Sequence, residues 1–353
     1  MSVLKHLPPQ ANQGWKQRAT QKDIALAAGV SQSTVSAVLR NDQTYVHFSQ
    51  AAKEAVLAAA AQMNYRANPF ARSMRSQRFL NLGLLLSHPE EMPYLPALVY
   101  TGVLEEASRR GYLLSLVYDP SGTEAAGNNK SFEIVESQVD GFIVYNSNHL
   151  SPALIKILEV SKVPYILANE PRVANCIVVD DFHAGKLATE HLYEAGYKAP
   201  LFVQDWRDDE ASLRTPEGNP RFDAFCQTVK SRGQCVKSCF TPYPEMPEAI
   251  MGALRANPEV DSLVCSNDAA ASFAQAALLR NGLRPGKDIG VIGFNGETMA
   301  ELAAIPLTTM VIPWRKIGNE SVSLICDLIA DPSALIPPRR FQASLRKAES
   351  TER

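Results

Sequence analysis

The chain has 353 residues, 46% of them hydrophobic, with a formal charge of −2 and a mean hydropathy of −0.13. That is the profile of a globular protein of two or three domains, and no run approaches the ~18 apolar residues of a membrane helix. The N-terminal "MSVLKHLPPQANQGWKQ" lacks the apolar core of a secretory signal, and the six cysteines form no CxxC pair. A cytoplasmic protein with reduced thiols is expected, with no membrane partner, disulfide framework or metal site.

Charge divides the chain unevenly. From Lys16 to Arg78 nine Lys/Arg face three acids, a net +6, whereas from Phe79 onward 25 face 34, a net −9. A basic head on an acidic body points to a polyanion partner for the head.

Residues 1–18 read as a disordered extension. In "ATQKDIALAAGVSQSTVSAVLRND" Thr20 caps a helix, with Asp23 in the capping-box position three residues on. Ile24, Ala27 and Ala28 supply its apolar positions. Gly29 offers the positive φ of a tight turn, and Ser31 caps a second helix whose inner face is Val35, Val38 and Leu39. Gln32, Ser33, Thr34 and Ser36 fall on or near the outer face, where hydroxyls and amides reach phosphates and base edges. Helix, short glycine turn, and helix with a polar N-terminal face form the helix-turn-helix pattern. A third, alanine-rich helix from Ser49 closes the head. In "NPFARSMRS" (68–76), Asn68 and Pro69 start a helix too short to stand alone.

These elements resemble the lactose-repressor (LacI/GalR) family of bacterial transcription regulators, from about Ala19 to Thr351. The family's T-x-x-D-[VI]-A-x-x-A-G-V-S-x-x-T-V-S pattern is matched by Thr20, Asp23, Ile24, Ala25, Ala28, Gly29, Val30, Ser31, Thr34, Val35 and Ser36, and "MNYRANPFARSMRS" matches its N-Y-x-x-N-x-x-A-R-x-L signature. The resemblance implies a helix-turn-helix domain at 19–66 and a hinge helix at 67–78 that pairs with its copy in the minor groove. It assigns DNA contacts to Thr20, Gln21, Gln32, Ser33, Thr34, Ser36 and Arg40, and in the hinge to Asn68, Ala71, Arg72, Met74 and Arg75. Met74 stands where the family's leucine wedge usually stands. Ala37 stands where many members carry Arg, which removes a guanine reader and leaves Gln32 and Ser33 as base-reading candidates, with Ala37 able to touch a thymine methyl.

Beyond the hinge, strand-length apolar runs at 80–87, 112–118, 141–146, 164–168, 176–179, 200–204, 262–266, 288–294 and 307–313 alternate with helical patterns such as 95–110, 184–195, 221–232, 269–281 and 315–330. This alternation predicts an α/β body of parallel sheets covered on both faces. The expected fold is an all-α helix-turn-helix head plus two doubly wound parallel-sheet subdomains of periplasmic-binding-protein type. The resemblance places the body at 79–347, with subdomains of approximately 79–180 plus 313–340, and 181–312.

Ligands of such sheets bind beyond the strand C-termini. Asn169, Asp180, Asn267, Asp268 and Asn295 follow strands and suit a polyhydroxylated ligand, although Asn and Asp also cap turns and helices there. The resemblance adds Arg221 of "PRFDAF" as a bidentate anchor, with Ala224 in place of the family's glycine. It directs Asn267 to the ligand and makes Asp268 structural, puts Asn295 where an Asp usually accepts sugar hydroxyls, and leaves Tyr94 as a weak stacking residue. No HExxH, GxSxG or P-loop is present, so no catalytic residue, cofactor or metal is expected.

The expected function is a sequence-specific transcriptional regulator, a repressor, binding a pseudo-palindromic double-stranded DNA operator as a homodimer and controlled by a sugar-like small-molecule effector in the inter-subdomain cleft. The end "KAESTER" carries no apolar heptad, so no tetramerisation helix is expected. Two other classes share parts of the pattern: a periplasmic-type small-molecule receptor and an effector-independent minor-groove architectural DNA binder. The missing signal peptide and the basic head argue against the first. Binding to random versus selected duplexes separates the second.

Overall fold

The computed structural model describes residues 19–40, 47–65, 78–87, 95–119, 138–145, 152–169, 171–205 and 219–353. The hinge candidates Asn68, Ala71, Arg72, Met74 and Arg75, the cleft candidate Tyr94 and the 1–18 extension lie outside the described residues. The chain divides after Phe79 into two compact units, Met1–Phe79 and Leu80–Arg353.

The first unit contains helices α1 (Gln21–Ala28), α2 (Gln32–Arg40) and α3 (Gln50–Gln62). Ile24 and Ala25 of α1, Val35 and Val38 of α2, and Val56 and Ala59 of α3 form its core, with Ala28, Val30, Leu39, Phe48, Ala60 and Tyr65 packed around them. Two expectations are corrected here. Ala27 is exposed, because the short α1 turns Ile24, Ala25 and Ala28 inward at i, i+1 and i+4. Ser36, expected on or near the outer face of α2, is 8% exposed, because the head's packing encloses this part of the helix beyond its apolar stripe, Ala37 included.

Among the described residues the second unit holds two six-stranded sheets. Sheet A contains β1 (Asn81–Ser87), β2 (Leu113–Asp119), β3 (Gly141–Tyr145), β4 (Tyr165–Ala168), β5 (Cys176–Val179) and β11 (Arg339–Phe341), in the order β11-β5-β4-β3-β1-β2. Sheet B contains β6 (Pro200–Asp205), β7 (Ser238–Thr241), β8 (Ser262–Cys265), β9 (Gly290–Asn295), β10 (Thr308–Val311) and β12 (Ser344–Arg346), in the order β12-β10-β9-β8-β6-β7. All pairs are parallel except β10–β12.

Continuous apolar strands are buried on both faces here. Leu82, Leu84 and Leu86 of β1 pack with α4 (Ala97–Arg109) and α11 (Trp314–Ala330), while Leu85 turns to Leu154 and Leu158 of α5 (Pro152–Ser161). In sheet B, Phe202, Val264 and Ile292 meet Ala188 and Leu192 of α6 (Asp181–Glu194) and Phe225 of α7 (Pro220–Ser231). Leu201, Val203, Leu263 and Val291 meet Ile250 of α8 (Met246–Ala256) and Ala270, Ala274 and Leu278 of α9 (Asp268–Arg280). A short α10 (Thr298–Leu302) follows β9.

The chain passes between the sheets three times: at Asp180 between β5 and α6, from Val311 to Trp314, and between Phe341 and Ser344. Strands β7, β11 and β12 were not among the predicted runs. Each lies at a sheet edge, and their sequences SCFT, RRF and SLR are too polar or too short to read as buried strands.

Candidate DNA-reading helix and effector cleft

The start of the head is fixed by local hydrogen bonds. Thr20 N donates to Asp23 Oδ2 at 2.7 Å, and Asp23 N donates to Thr20 Oγ1 at 3.3 Å, completing the capping box. The Thr20 backbone and hydroxyl hold the Asp23 carboxyl below its ordinary value. Gly29 ends α1 at φ +62° with open space around it, so backbone conformation alone requires glycine there. Ser31 Oγ then accepts from Thr34 N at 3.1 Å, capping α2. Gln32 and Ser33 are exposed and Thr34 is half-buried, so the first turn of α2 is open. Ala37, offered above as a thymine-methyl contact, is 2% exposed and is not open to a base. Arg40 closes the helix.

In the body the polar side chains gather where β6, β8 and β9 end. Asn219 caps α7 and its Nδ2 donates to Gln204 Oε1 at 2.6 Å, which sets the first turn of α7 against the end of β6. From that turn Arg221 donates through Nε to Asp181 Oδ1 at 2.8 Å and through Nη1 to the Ser266 carbonyl at 2.6 Å. Its guanidinium lies 4.7 Å from the centre of the Phe294 ring. The planar fork satisfies two acceptors in different directions while its face rests on an aromatic ring, which an ammonium cannot do.

Asn267 caps α9 by accepting from Ala270 N at 2.8 Å, and its Nδ2 donates to the Tyr243 hydroxyl at 2.8 Å. Tyr243 stacks on Phe273 with centroids 5.4 Å apart, and its N–H donates to Asp205 Oδ1. Asn295 ends β9 at φ +108° and is 7% exposed, followed by Gly296 at φ +71°. Beneath that turn Asp268 is fully buried, accepting from the Thr309 hydroxyl at 2.6 Å and from Glu297 N at 2.9 Å. Gly293 makes room for it, since a Cβ there would stand 2.5 Å from Asp268 Oδ1. Burial pushes the Asp268 carboxyl up to about 6, against the pull of Thr309 and of the Glu297 and Gly296 N–H groups.

Arg221, Asn267 and Asn295 are therefore brought together at the C-terminal ends of the strands of sheet B. Asn169 (φ +67°) and Asp180 end the adjacent strands β4 and β5 of sheet A. Asp180 also caps α6, accepting from His183 N at 3.1 Å, the capping role that Asp takes so often. Its neighbour Asp181 is the residue that reaches Arg221. Sequence reasoning passed over Asp181, Tyr243, Gln204 and Phe294. Asp181 had a signal, the doubled acid in "CIVVDDF" opening a helix, whereas Tyr243 lies in the irregular "PYPEMP".

A capped helix-turn-helix head joined to a body of two parallel sheets, with three crossings and polar groups at the strand ends, defines a DNA-binding protein with a ligand-binding body. The chain belongs to the lacI family of bacterial regulatory proteins. Residues 20–68 match the model of bacterial regulatory proteins of the lacI family, and residues 80–350 match that of periplasmic binding proteins and the sugar-binding domain of the LacI family. The HTH-type transcriptional repressor PurR of Haemophilus influenzae (strain PittEE) is 29% identical over 318 residues, covering 88% of this chain and 91% of that protein. The Lac repressor dimer bound to operator and the anti-inducer ONPF shares the fold, with a TM-score of 0.77 at 22% identity over 96% of this chain and all of that one. The CelR–cellobiose complex does so with a TM-score of 0.66 at 24% identity over 94% and 100%. The protein is thus a transcriptional regulator, and among the described residues no helix is long and apolar enough to cross a membrane.

Proposed function

We propose that the protein is a cytoplasmic, non-enzymatic repressor that binds a pseudo-palindromic operator as a homodimer and releases or grips it when a small polar effector enters the crevice between the two sheets. The observation that carries this reading is the Arg221–Asp181 pair, at 2.8 Å with side chains 15% and 24% exposed. Asp181 is the first residue past the first crossing, and its pairing with Arg221 fixes the start of α6 beside the strand ends of sheet B. A ligand held between this end of sheet B and Asn169 and Asp180 at the strand ends of sheet A makes contacts that depend on how the two sheets are arranged. Its free energy of binding then differs between the two arrangements, which is what effector control requires.

The proposed effector contacts are Asn169, Asp180, Arg221, Asn267 and Asn295, together with Tyr94 on the sequence alone. The proposed DNA contacts are the first turn of α2, Thr20, Gln21 and Arg40, and the hinge segment 67–78 with Met74 as wedge. Homodimerisation is supported by an apolar surface on the second unit. Leu98, Tyr100 and Leu104 of α4 are 43–46% exposed, and Leu113 and Leu116 of the edge strand β2 are 58% and 66% exposed.

The test is selection of bound duplexes from a random pool by the full chain, with and without a metabolite panel that includes cellobiose. Enrichment of a two-fold-related site, altered by at least one metabolite, supports the reading. Binding with no duplex enriched over the random pool and no effect of any metabolite favours the architectural alternative.

A further inference from the structure

Helix α2 offers a partner very little. Gln32 and Ser33 are exposed and Thr34 is half-buried, whereas Val35, Ser36, Ala37 and Val38 are all less than 9% exposed. No charged residue occurs in Gln32–Leu39, "QSTVSAVL". The hydroxyls in this turn are engaged with one another. Ser31 Oγ lies 2.7 Å from Ser33 Oγ and 2.8 Å from Thr34 Oγ1 while accepting from Thr34 N. Ser33 and Thr34 are therefore part of the cap, and their short arms suit phosphate oxygens at the helix N-terminus. Gln32 differs on each count. It is exposed, it makes no hydrogen bond among the described residues, and a long arm carries its amide.

We propose that Gln32 is the base-reading side chain of α2 and that it reads adenine, so that each operator half-site holds one A·T pair recognised by this amide. In the major groove adenine presents an N7 acceptor beside an N6 donor, which the glutamine NH₂ and carbonyl complement in pairs. Guanine presents two acceptors, N7 and O6, and would leave the glutamine carbonyl facing a lone pair with no donor. Gln32–Leu39 carries no arginine or lysine, so none of these eight residues is a bidentate guanine reader. The inference rests on the DNA-binding reading above and adds to it the identity of the base and of the residue that selects it.

The experiment uses the full chain and the duplex enriched from the random pool. Each A·T pair of a half-site is changed to G·C, and each adenine in turn to 7-deazaadenine, which lacks N7. At one position the wild type should lose roughly tenfold to hundredfold in affinity on either change, the range of a bidentate base contact. Gln32→Ala should discriminate less than about twofold at that position while keeping the wild-type preference elsewhere and the wild-type salt slope, which shows that the head is still folded. Gln32→Arg should transfer the preference at that position to guanine. If Gln32→Ala keeps every base preference of the wild type, Gln32 is not the reader and the inference fails while the regulator reading stands. Absence of any enriched duplex, with binding indifferent to salt, would overturn both.

Discussion

Asp268 is a carboxylate with no exposed surface, held by one hydroxyl and two backbone N–H groups under the Asn295–Gly296 turn. Its folded value of about 6 stands above the ordinary 3.8. The folded state therefore binds this proton more tightly than the unfolded state, and its contribution to stability grows as pH falls from 6 towards 3.8. Measured by denaturant unfolding at pH 4, 5, 6 and 7, the wild type should gain on Asp268→Asn by up to about 3 kcal/mol between the highest and lowest pH. A difference that is flat with pH would refute the assignment. Arg221 makes the companion case. Arg221→Ala leaves Asp181 and the Ser266 carbonyl without their donor, at a cost of about 1.5–3 kcal/mol. It should also abolish the calorimetric response to the effector found by selection, with operator affinity kept within a few fold. Arg221→Lys should restore neither, since one ammonium cannot serve both acceptors and the Phe294 face. Position after a strand made Asn267 legible, and the motif in "PRFDAF" made Arg221 legible as an anchor. Neither made legible that Arg221 is already engaged by protein partners, because the Asp181 and Ser266 contacts span 40 and 45 residues.

Helix contacts show what packing adds to pattern. Helices α4 and α11 approach so closely that a Cβ on Gly102 would stand 2.2 Å from the Arg315 carbonyl oxygen, and one on Gly318 2.3 Å from that of Val99. Both obstacles are backbone and cannot swing aside, so Gly102→Ala and Gly318→Ala should each destabilise by about 1–3 kcal/mol or more. Gly252, inside α8 with nothing within 4 Å of its would-be Cβ, is the control; Gly252→Ala should stabilise by about 0.5–1 kcal/mol. Thermal unfolding reads all three, and equal melting temperatures would contradict the close-packing account. The same geometry bears on Ala224, where the family carries glycine. Here Gly185 of α6 supplies the clearance, since its Cβ would lie 3.1 Å from Ala224 Cβ and 2.6 Å from the Arg221 carbonyl oxygen. Strands in the sheet interiors were readable because burial on both faces demands unbroken apolar runs. Edge strands β7, β11 and β12 were not, since one side is free of that demand. The caps at Thr20 and Ser31 and the turn at Gly29 were readable because each is decided within four residues. The burial of Ser36 was not, being set by tertiary contact rather than by residue type.

At the scale of the whole molecule, basic charge is concentrated at 16–78 and acidic charge beyond it. The acidic body discourages nonspecific adhesion to DNA, so that the polyanion is met by the head. The body adds three crossings between two sheets, with Asp181 placed immediately after the first of them. The central claim is that the basic head binds DNA through its phosphates and that specificity is added to this electrostatic base. The most direct measurement is the affinity of the full chain for the selected duplex and for a scrambled one, titrated from about 50 to 200 mM salt. Nine basic residues in the 16–78 segment should give a steep linear fall of log K with log salt. The expected loss is roughly a thousandfold on both duplexes, with the selected one bound more tightly throughout. An affinity that stays level across that range, or equal binding to the two duplexes at every salt concentration, would contradict the account.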